Sequence, residues 1–304
     1  MKYKIVYMGT PHYAKEILDT LIQAEDMEVS LVITQPDRPV GRKKVLTPPP
    51  VKVLAEEQGI EVLQPKRLSD EGIEEAIKNV KPDFIVVAAF GQILPKSILE
   101  IAPCINLHAS LLPKYRGASP VQQALLHGDK KTGVTSMLME EGLDTGPMLE
   151  KVEFEIPSDM RLHALMAQLT KDACTLTLST LRNYEHITPE IQDDTEATLC
   201  KKIKKSDGEV DFEDAALVYD KYRAFEGWPG IFAANGTKLD GISLVDTSSD
   251  NKAFEILSFV DESVVVGCVK GSLQITTIQP ASKKAMSAKA YCVGRGLKVG
   301  DSIL

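Results

Sequence analysis

Asn106 and His108 stand two residues apart in Cys104-Ile-Asn-Leu-His108, a run that reads as a strand, so both side chains leave the same face. An amide N–H donor and a titratable ring aimed at one atom could stabilise a developing oxyanion and move a proton. Asp144 lies in Gly142-Leu-Asp-Thr-Gly-Pro147, where two glycines free the backbone. A carboxylate brought beside His108 would orient the ring and favour its charged form. Plainer readings stand beside these: an Asn-x-His can satisfy backbone groups in a loop, and Gly-x-Asp-x-Gly is commonly a hairpin turn. Ser110-Leu-Leu-Pro113-Lys-Tyr-Arg116-Gly117 has little helical or strand period and the composition of a binding loop.

Chemistry at a strand end requires a sheet behind it. Lys4 to Met8 reads as a buried strand, and Gly9-Thr10-Pro11 supplies a turn, an N-cap and a proline suited to the first helical position. Ala14, Ile17, Leu18, Leu21 and Ile22 recur at helical spacing, and residues 29–34 return to a strand. The alternation continues through helices near 51–58 and 71–78 and strands at 61–63, 84–88, 104–108 and 133–139. A short helix over 121–126 and a long one over 161–182 complete the set. This pattern predicts an α/β class fold: a Rossmann-like, mostly parallel sheet with helices on both faces, whose ligands gather outside the carboxyl ends of the strands. Residues 1–182 would form this domain and polar residues 183–207 a linker. Residues 208–304, with a helix near 215–225 and short strands at 231–233, 242–245, 264–269 and 273–278, would form a smaller OB-like β-barrel.

With 304 residues, 43% hydrophobic and 26% charged, the composition is that of a globular chain of about two domains. No apolar run approaches the roughly 20 residues that cross a bilayer, and no leader pattern precedes the first strand; a cytoplasmic protein with no membrane partner is expected. Five scattered cysteines with no Cys-x-x-Cys pair predict neither a disulfide scaffold nor a metal site, and Cys104 is expected to be a buried, unreactive thiol. No glycine-rich nucleotide fingerprint follows the first strand, which disfavours a nicotinamide enzyme. The net charge of −8 argues against general nucleic-acid coating. Basic residues nevertheless cluster at Arg38, Arg42, Lys43 and Lys44, at Lys201, Lys202, Lys204 and Lys205, and at Lys283, Lys284 and Lys289. A solvated surface is the first reading of each cluster. The segment 34–50 is long for a connection without secondary structure, which points to an active loop.

Four segments carry a resemblance: Gln35-Pro-Asp-Arg-Pro39, Cys104 to Pro120, Gly142-Leu-Asp-Thr-Gly-Pro-Met148 and Lys283-Lys-Ala-Met-Ser287. They closely resemble the folate-dependent formyltransferases, and the first and last resemble the methionyl-tRNA formyltransferase family among them. The likeness runs nearly end to end. The block with Asn106, His108 and Asp144 is shared with related hydrolases, so it specifies chemistry more than acceptor. The resemblance implies transfer of the formyl group of 10-formyltetrahydrofolate to the α-amino group of methionyl initiator tRNA, by a monomer without metal. Asn106 and His108 would donate to the oxyanion, and Asp144 would hold His108 charged and relay a proton. Folate would rest on Ser110, Leu111, Leu112 and Pro113, with Phe90, Gly91, Gln92, Ile93 and Leu94 as further wall. The acceptor stem would meet Arg38, Arg42, Lys43 and Lys44, with Arg42 leading, and further phosphates would meet Lys201, Lys202, Lys204, Lys205, Lys283 and Lys284.

Two departures from the family pattern stand out: His12-Tyr13 replaces an acidic–aromatic pair, and Glu226-Gly227 precedes Trp228-Pro229 where Asn-Pro is usual. Competing functions are formylation of a small amine, hydrolysis of formylfolate, and a catalytically silent binding module. The second domain is expected to separate the first of these, because small-amine enzymes would resemble only the first two-thirds of the chain.

Overall fold

A computed structural model describes residues 2–41 and 43–304. Seven strands form the large sheet: β1 (Tyr3–Gly9), β2 (Met27–Ile33), β3 (Val62–Leu63), β4 (Phe84–Ala88), β5 (Cys104–His108), β6 (Lys131–Leu138) and β7 (Met148–Glu155). Their order is β7-β6-β5-β4-β1-β2-β3. The strands from β3 to β5 in this order run parallel, while β6 is antiparallel to β5 and β7 antiparallel to β6. Every residue of β4 and β5 is buried, as expected of central strands covered on both faces. Chain order reverses between β1 and β4, the switch point at which such sheets open a crevice.

Helices α1 (His12–Gln23), α2 (Pro50–Glu57), α3 (Ile73–Val80) and α4 (Leu162–Asn183) follow the apolar periodicity. On one face Val6, Met8, Leu31, Ile33, Ile77, Ile85 and Val87 share a core cluster with Phe90, Leu94 and Ile98. The start of α1 departs from expectation. Pro11 is its N-cap, not its first residue, and no side chain caps the helix. Thr10 Oγ1 instead donates to the Phe90 carbonyl at 3.4 Å, linking the ends of β1 and β4.

Several elements go beyond what the sequence pattern predicts, among them an edge strand and a hairpin. β7 alternates apolar and charged residues in Val152-Glu-Phe-Glu155, a strand signal at the sheet edge. The segment 34–50 is not structureless, since Arg38–Val40 and Val45–Thr47 pair as an antiparallel hairpin. Asp37 anchors its base, accepting from Lys52 Nζ at 3.1 Å and from Gln64 Nε2 at 2.7 Å.

The chain divides into two compact units, one of residues 1–120, 131–155 and 166–201, the other of 121–130, 156–165 and 202–304. Much of the stretch read as a linker is therefore part of the first unit. Leu199–Cys200 pairs in parallel with Arg116–Gly117. In the second unit β8 (Ile231–Phe232), β9 (Lys238–Asp250), β10 (Ile256–Val260), β11 (Ser263–Gly267) and β12 (Lys270–Gln279) form an antiparallel sheet in the order β8-β9-β12-β11-β10, and Met286–Ser287 adds beside β12. Helix α5 (Ala215–Ala224) opens on an Asp214 side chain that accepts from Ala216 N–H at 2.8 Å. Among the described residues no helix is long and apolar enough to cross a membrane.

Candidate active site

The last turn of strand β5 places Asn106 and His108 at the carboxyl edge of the sheet, and the turn after β6 brings Asp144 to them. Asn106 Nδ2 donates to Asp144 Oδ1 at 3.4 Å, and His108 Nδ1 lies 3.7 Å from Asp144 Oδ2. Asp144 Oδ2 also accepts the Gly117 backbone N–H at 2.8 Å. The His108 side chain is 7% exposed and that of Asp144 13%, so the carboxylate acts where water screens it little. Amide and ring from β5 thus converge with a carboxylate from the turn after β6.

The histidine is oriented from its far side. His108 Nε2 lies 2.9 Å from the Tyr115 carbonyl oxygen, which can only accept, so Nε2 carries the hydrogen and Nδ1 is the nitrogen turned to Asp144. Tyr13 Oη donates to the Leu107 carbonyl at 3.2 Å, fixing the peptide between Asn106 and His108. Tyr13, which keeps the aromatic position of the family's acidic–aromatic pair, therefore touches the site through the backbone. Tyr115 and Asp144 both hold the left-handed conformation, with φ of 60° and 54°, which non-glycine residues rarely adopt outside constrained sites.

The two turns are tied together by the segment beyond α4. Arg116 Nε donates to Gln192 Oε1 at 3.0 Å and Arg116 Nη2 to Asp194 Oδ1 at 2.8 Å. Gln192 Nε2 donates to the carbonyls of Asp144 at 2.8 Å and Gly146 at 2.7 Å. Thr198 Oγ1 accepts Tyr115 N–H at 2.8 Å, and the Thr198 carbonyl accepts Arg116 N–H at 2.8 Å. The sequence pattern gives Gln192, Asp194 and Thr198 no role at the site. The stretch 183–207 is polar and aperiodic, and such a pattern describes solvated chain as well as chain wrapped on a site.

The expected folate wall divides by burial. Phe90 and Leu94 are core residues, Leu112 packs with Met137 and Met148, and Ser110 Oγ donates to the Lys114 carbonyl at 2.6 Å. These four side chains are committed to the fold, so the contact they can offer is mainly backbone. Thr135 Oγ1 fixes part of that backbone, accepting from Leu112 N–H and donating to the Ser110 carbonyl. Leu111 and Pro113 are partly buried, Gly91 is exposed, and Ile93 is 71% exposed. Gln92 is turned inward, its Oε1 accepting Leu68 N–H at 3.1 Å. A cleft of about 700 Å³ lined by Glu74, Lys78 and Glu100, and another of about 270 Å³ lined by Arg161, Tyr222 and Lys238, include none of the expected site residues.

Arg38, Lys43 and Lys44 lie exposed on or beside the hairpin, and Arg42 lies outside the described residues. Lys201, Lys202, Lys204, Lys205, Lys283 and Lys284 are exposed as well. Cys104 is buried, and burial pushes its thiol up to about 12, which leaves no nucleophilic thiolate near neutrality. Among the described residues no group of three His, Cys, Asp or Glu is placed to hold a metal ion.

Residues 1–181 match the family model described as formyl transferase, and residues 202–296 match that described as formyl transferase, C-terminal domain. A methionyl-tRNA formyltransferase of Sulfurovum sp. (strain NBC37-1) is 75% identical over 304 residues, covering all of both chains. That of Sulfurimonas denitrificans is 51% identical, covering 99% of each. Among solved structures, an N-formyltransferase from Helicobacter canadensis in complex with folinic acid and dTDP-3-aminofucose shares the fold at a TM-score of 0.68, with 17% identity, covering 90% of this chain and 98% of that one. Coverage of the second domain therefore does not by itself separate the acceptors, contrary to the sequence expectation; identity along the whole length does. By that measure the chain belongs to the methionyl-tRNA formyltransferase family.

Proposed function

We propose that the protein transfers the formyl group of 10-formyltetrahydrofolate to the α-amino group of methionyl initiator tRNA. The observation that carries this is full-length identity of 75% to a methionyl-tRNA formyltransferase. The convergence of Asn106, His108 and Asp144 at a sheet edge supports it. The amine nitrogen attacks the formyl carbon, negative charge gathers on the formyl oxygen, and the bond from that carbon to N10 then breaks. The proton lost by the amine ends on N10.

Asn106 is the first donor to that oxygen. One of its N–H groups is spent loosely on Asp144, at 3.4 Å, and the other is available. His108 serves from Nδ1, which donates only when the ring is the imidazolium, because Nε2–H is engaged with the Tyr115 carbonyl. Loss of one such donor typically lowers turnover by about 10²–10³. Asp144 faces the same nitrogen and is the group positioned to take the amine proton and pass it on. The backbone of Ser110–Pro113 and the turn at Phe90–Leu94 form the folate wall in this reading. The exposed Arg38, Lys43 and Lys44, with Arg42, meet the acceptor stem, and the lysines at 201–205 and 283–284 meet other phosphates.

The test mixes purified protein, 10-formyltetrahydrofolate and methionine-charged initiator tRNA. Formylmethionyl-tRNA is the expected product. Formylation of an amino sugar, or release of free formate without acceptor, would replace this reading with the small-amine or hydrolytic one.

A further inference from the structure

We propose that Gln192 is the positioning residue that holds Asp144 in register with His108, by locking the Asp144 turn to the strand at Arg116–Gly117. The proposal rests on Asp144 and His108 being the reacting pair. Gln192 is 6% exposed and lies 48 residues from Asp144 and 76 from Arg116 in sequence. Its amide orientation is forced by its partners: Arg116 Nε can only donate and so meets Oε1, while the Asp144 and Gly146 carbonyls can only accept and so meet Nε2. One side chain therefore carries three hydrogen bonds to two loops, two of them buried and the one to Asp144 partly so.

Those loops are the ones that set the reacting groups. Asp144 holds its left-handed conformation with its carbonyl gripped by Gln192 and its carboxylate by Gly117 N–H. The Arg116–Gly117 strand continues from Tyr115, whose carbonyl orients His108. Arg116 is fixed in turn by Asp194 and by the Thr198 carbonyl. Moving the Asp144 turn without the His108 support thus requires breaking the Gln192 bridge. Glutamate at this position keeps the arginine partner but sets a carboxylate oxygen against two carbonyls; methionine offers no partner to any of the three.

Gln192→Glu and Gln192→Met, purified as full chains, test the role. Each is expected to lower kcat on the order of 10²-fold, the scale of an ångström of misplacement. The KM for 10-formyltetrahydrofolate should change little, and the limbs of the kcat/KM pH profile should move, which loss of folded protein alone would not cause. Added to Asp144→Asn, Gln192→Glu should slow the enzyme no further. Normal turnover and an unchanged pH profile in either folded variant would overturn the proposal, as would an additive loss in the double variant. Should Gln192→Glu not fold, Gln192→Met decides the question by the same two readouts. If Asp144→Asn alone keeps full turnover, the reacting pair itself is misassigned and the role of Gln192 falls with it, an outcome distinct from a failure confined to Gln192.

Discussion

Gly117 donates its backbone N–H to Oδ2 of Asp144 at 2.8 Å, joining two loops 27 residues apart at the nitrogen-facing side of His108. Gly117 has a φ of 118°, and a Cβ there would stand 2.3 Å from the Cys200 carbonyl oxygen. No L side chain fits both constraints, so Gly117→Ala must shift the strand that delivers this N–H. Backbone strain of this kind costs about 1–3 kcal/mol, and urea denaturation should show a loss of at least that size together with slower turnover. A stable Gly117→Ala enzyme at full rate would show that the bond to Asp144 is dispensable.

His108→Ala and Asp144→Ala should each reduce turnover by about 10²-fold or more while the far-ultraviolet circular dichroism stays that of the folded protein. Because both residues serve one nitrogen, the double variant should be scarcely slower than the worse single one. Single-turnover kinetics with saturating donor and tRNA would check this, and a rate within a few-fold of the parent removes that residue from the chemistry.

Exposed lysines act through charge and so through salt. If Lys201, Lys202, Lys204 and Lys205 meet phosphates, replacing them by alanine should flatten the plot of log affinity for initiator tRNA against log salt by roughly 0.7–0.9 for each lysine involved. Affinity for the folate donor should stay the same. A parallel shift with no change of slope would mean that these lysines shape the surface without touching the nucleic acid.

The hairpin at Arg38–Thr47 has an acid-sensitive anchor. Gln64 and then Lys52, both bonded to Asp37, hold its carboxyl below the usual carboxylate range. A group whose value is lowered by folding stabilises the fold above its ordinary value, about 3.9 for aspartate, and loses that contribution as pH falls through the lowered one. Hydrogen exchange of the paired Val40 and Val45 amides should therefore quicken as pH drops below about 4, beyond the intrinsic pH dependence of exchange. Asp37→Asn should show weaker protection at neutral pH and no added loss on acidification.

The large sheet is legible in the sequence because its strands are short buried runs separated by helices at 3.6-residue spacing; β4 and β5 can hardly be read otherwise. β7 is harder to see, because Val152 and Phe154 alternate with glutamates and never form a continuous apolar run. Asn106, His108 and Asp144 are legible as residue types with matching motifs. What assembles them is not: the Tyr115 carbonyl, the Gly117 N–H and the Thr198 carbonyl are backbone groups, which every residue carries. Gln192 is a side chain, but a single glutamine in a polar, aperiodic stretch has no period to betray its burial. Phe90, Leu94 and Leu112 carry the same ambiguity, because apolar letters beside a site can serve the core as well as a wall, and these three side chains pack in the core.

The parallel pairing of Leu199–Cys200 with Arg116–Gly117 has a consequence for synthesis. A nascent chain released from the ribosome as far as Asn183 already owns every strand of the large sheet and the helix that follows it. It still lacks the eighteen or so residues that fasten the turns around His108, and contacts so distant in sequence form late. The body of the first unit can thus mature before the turns around its candidate site are fastened.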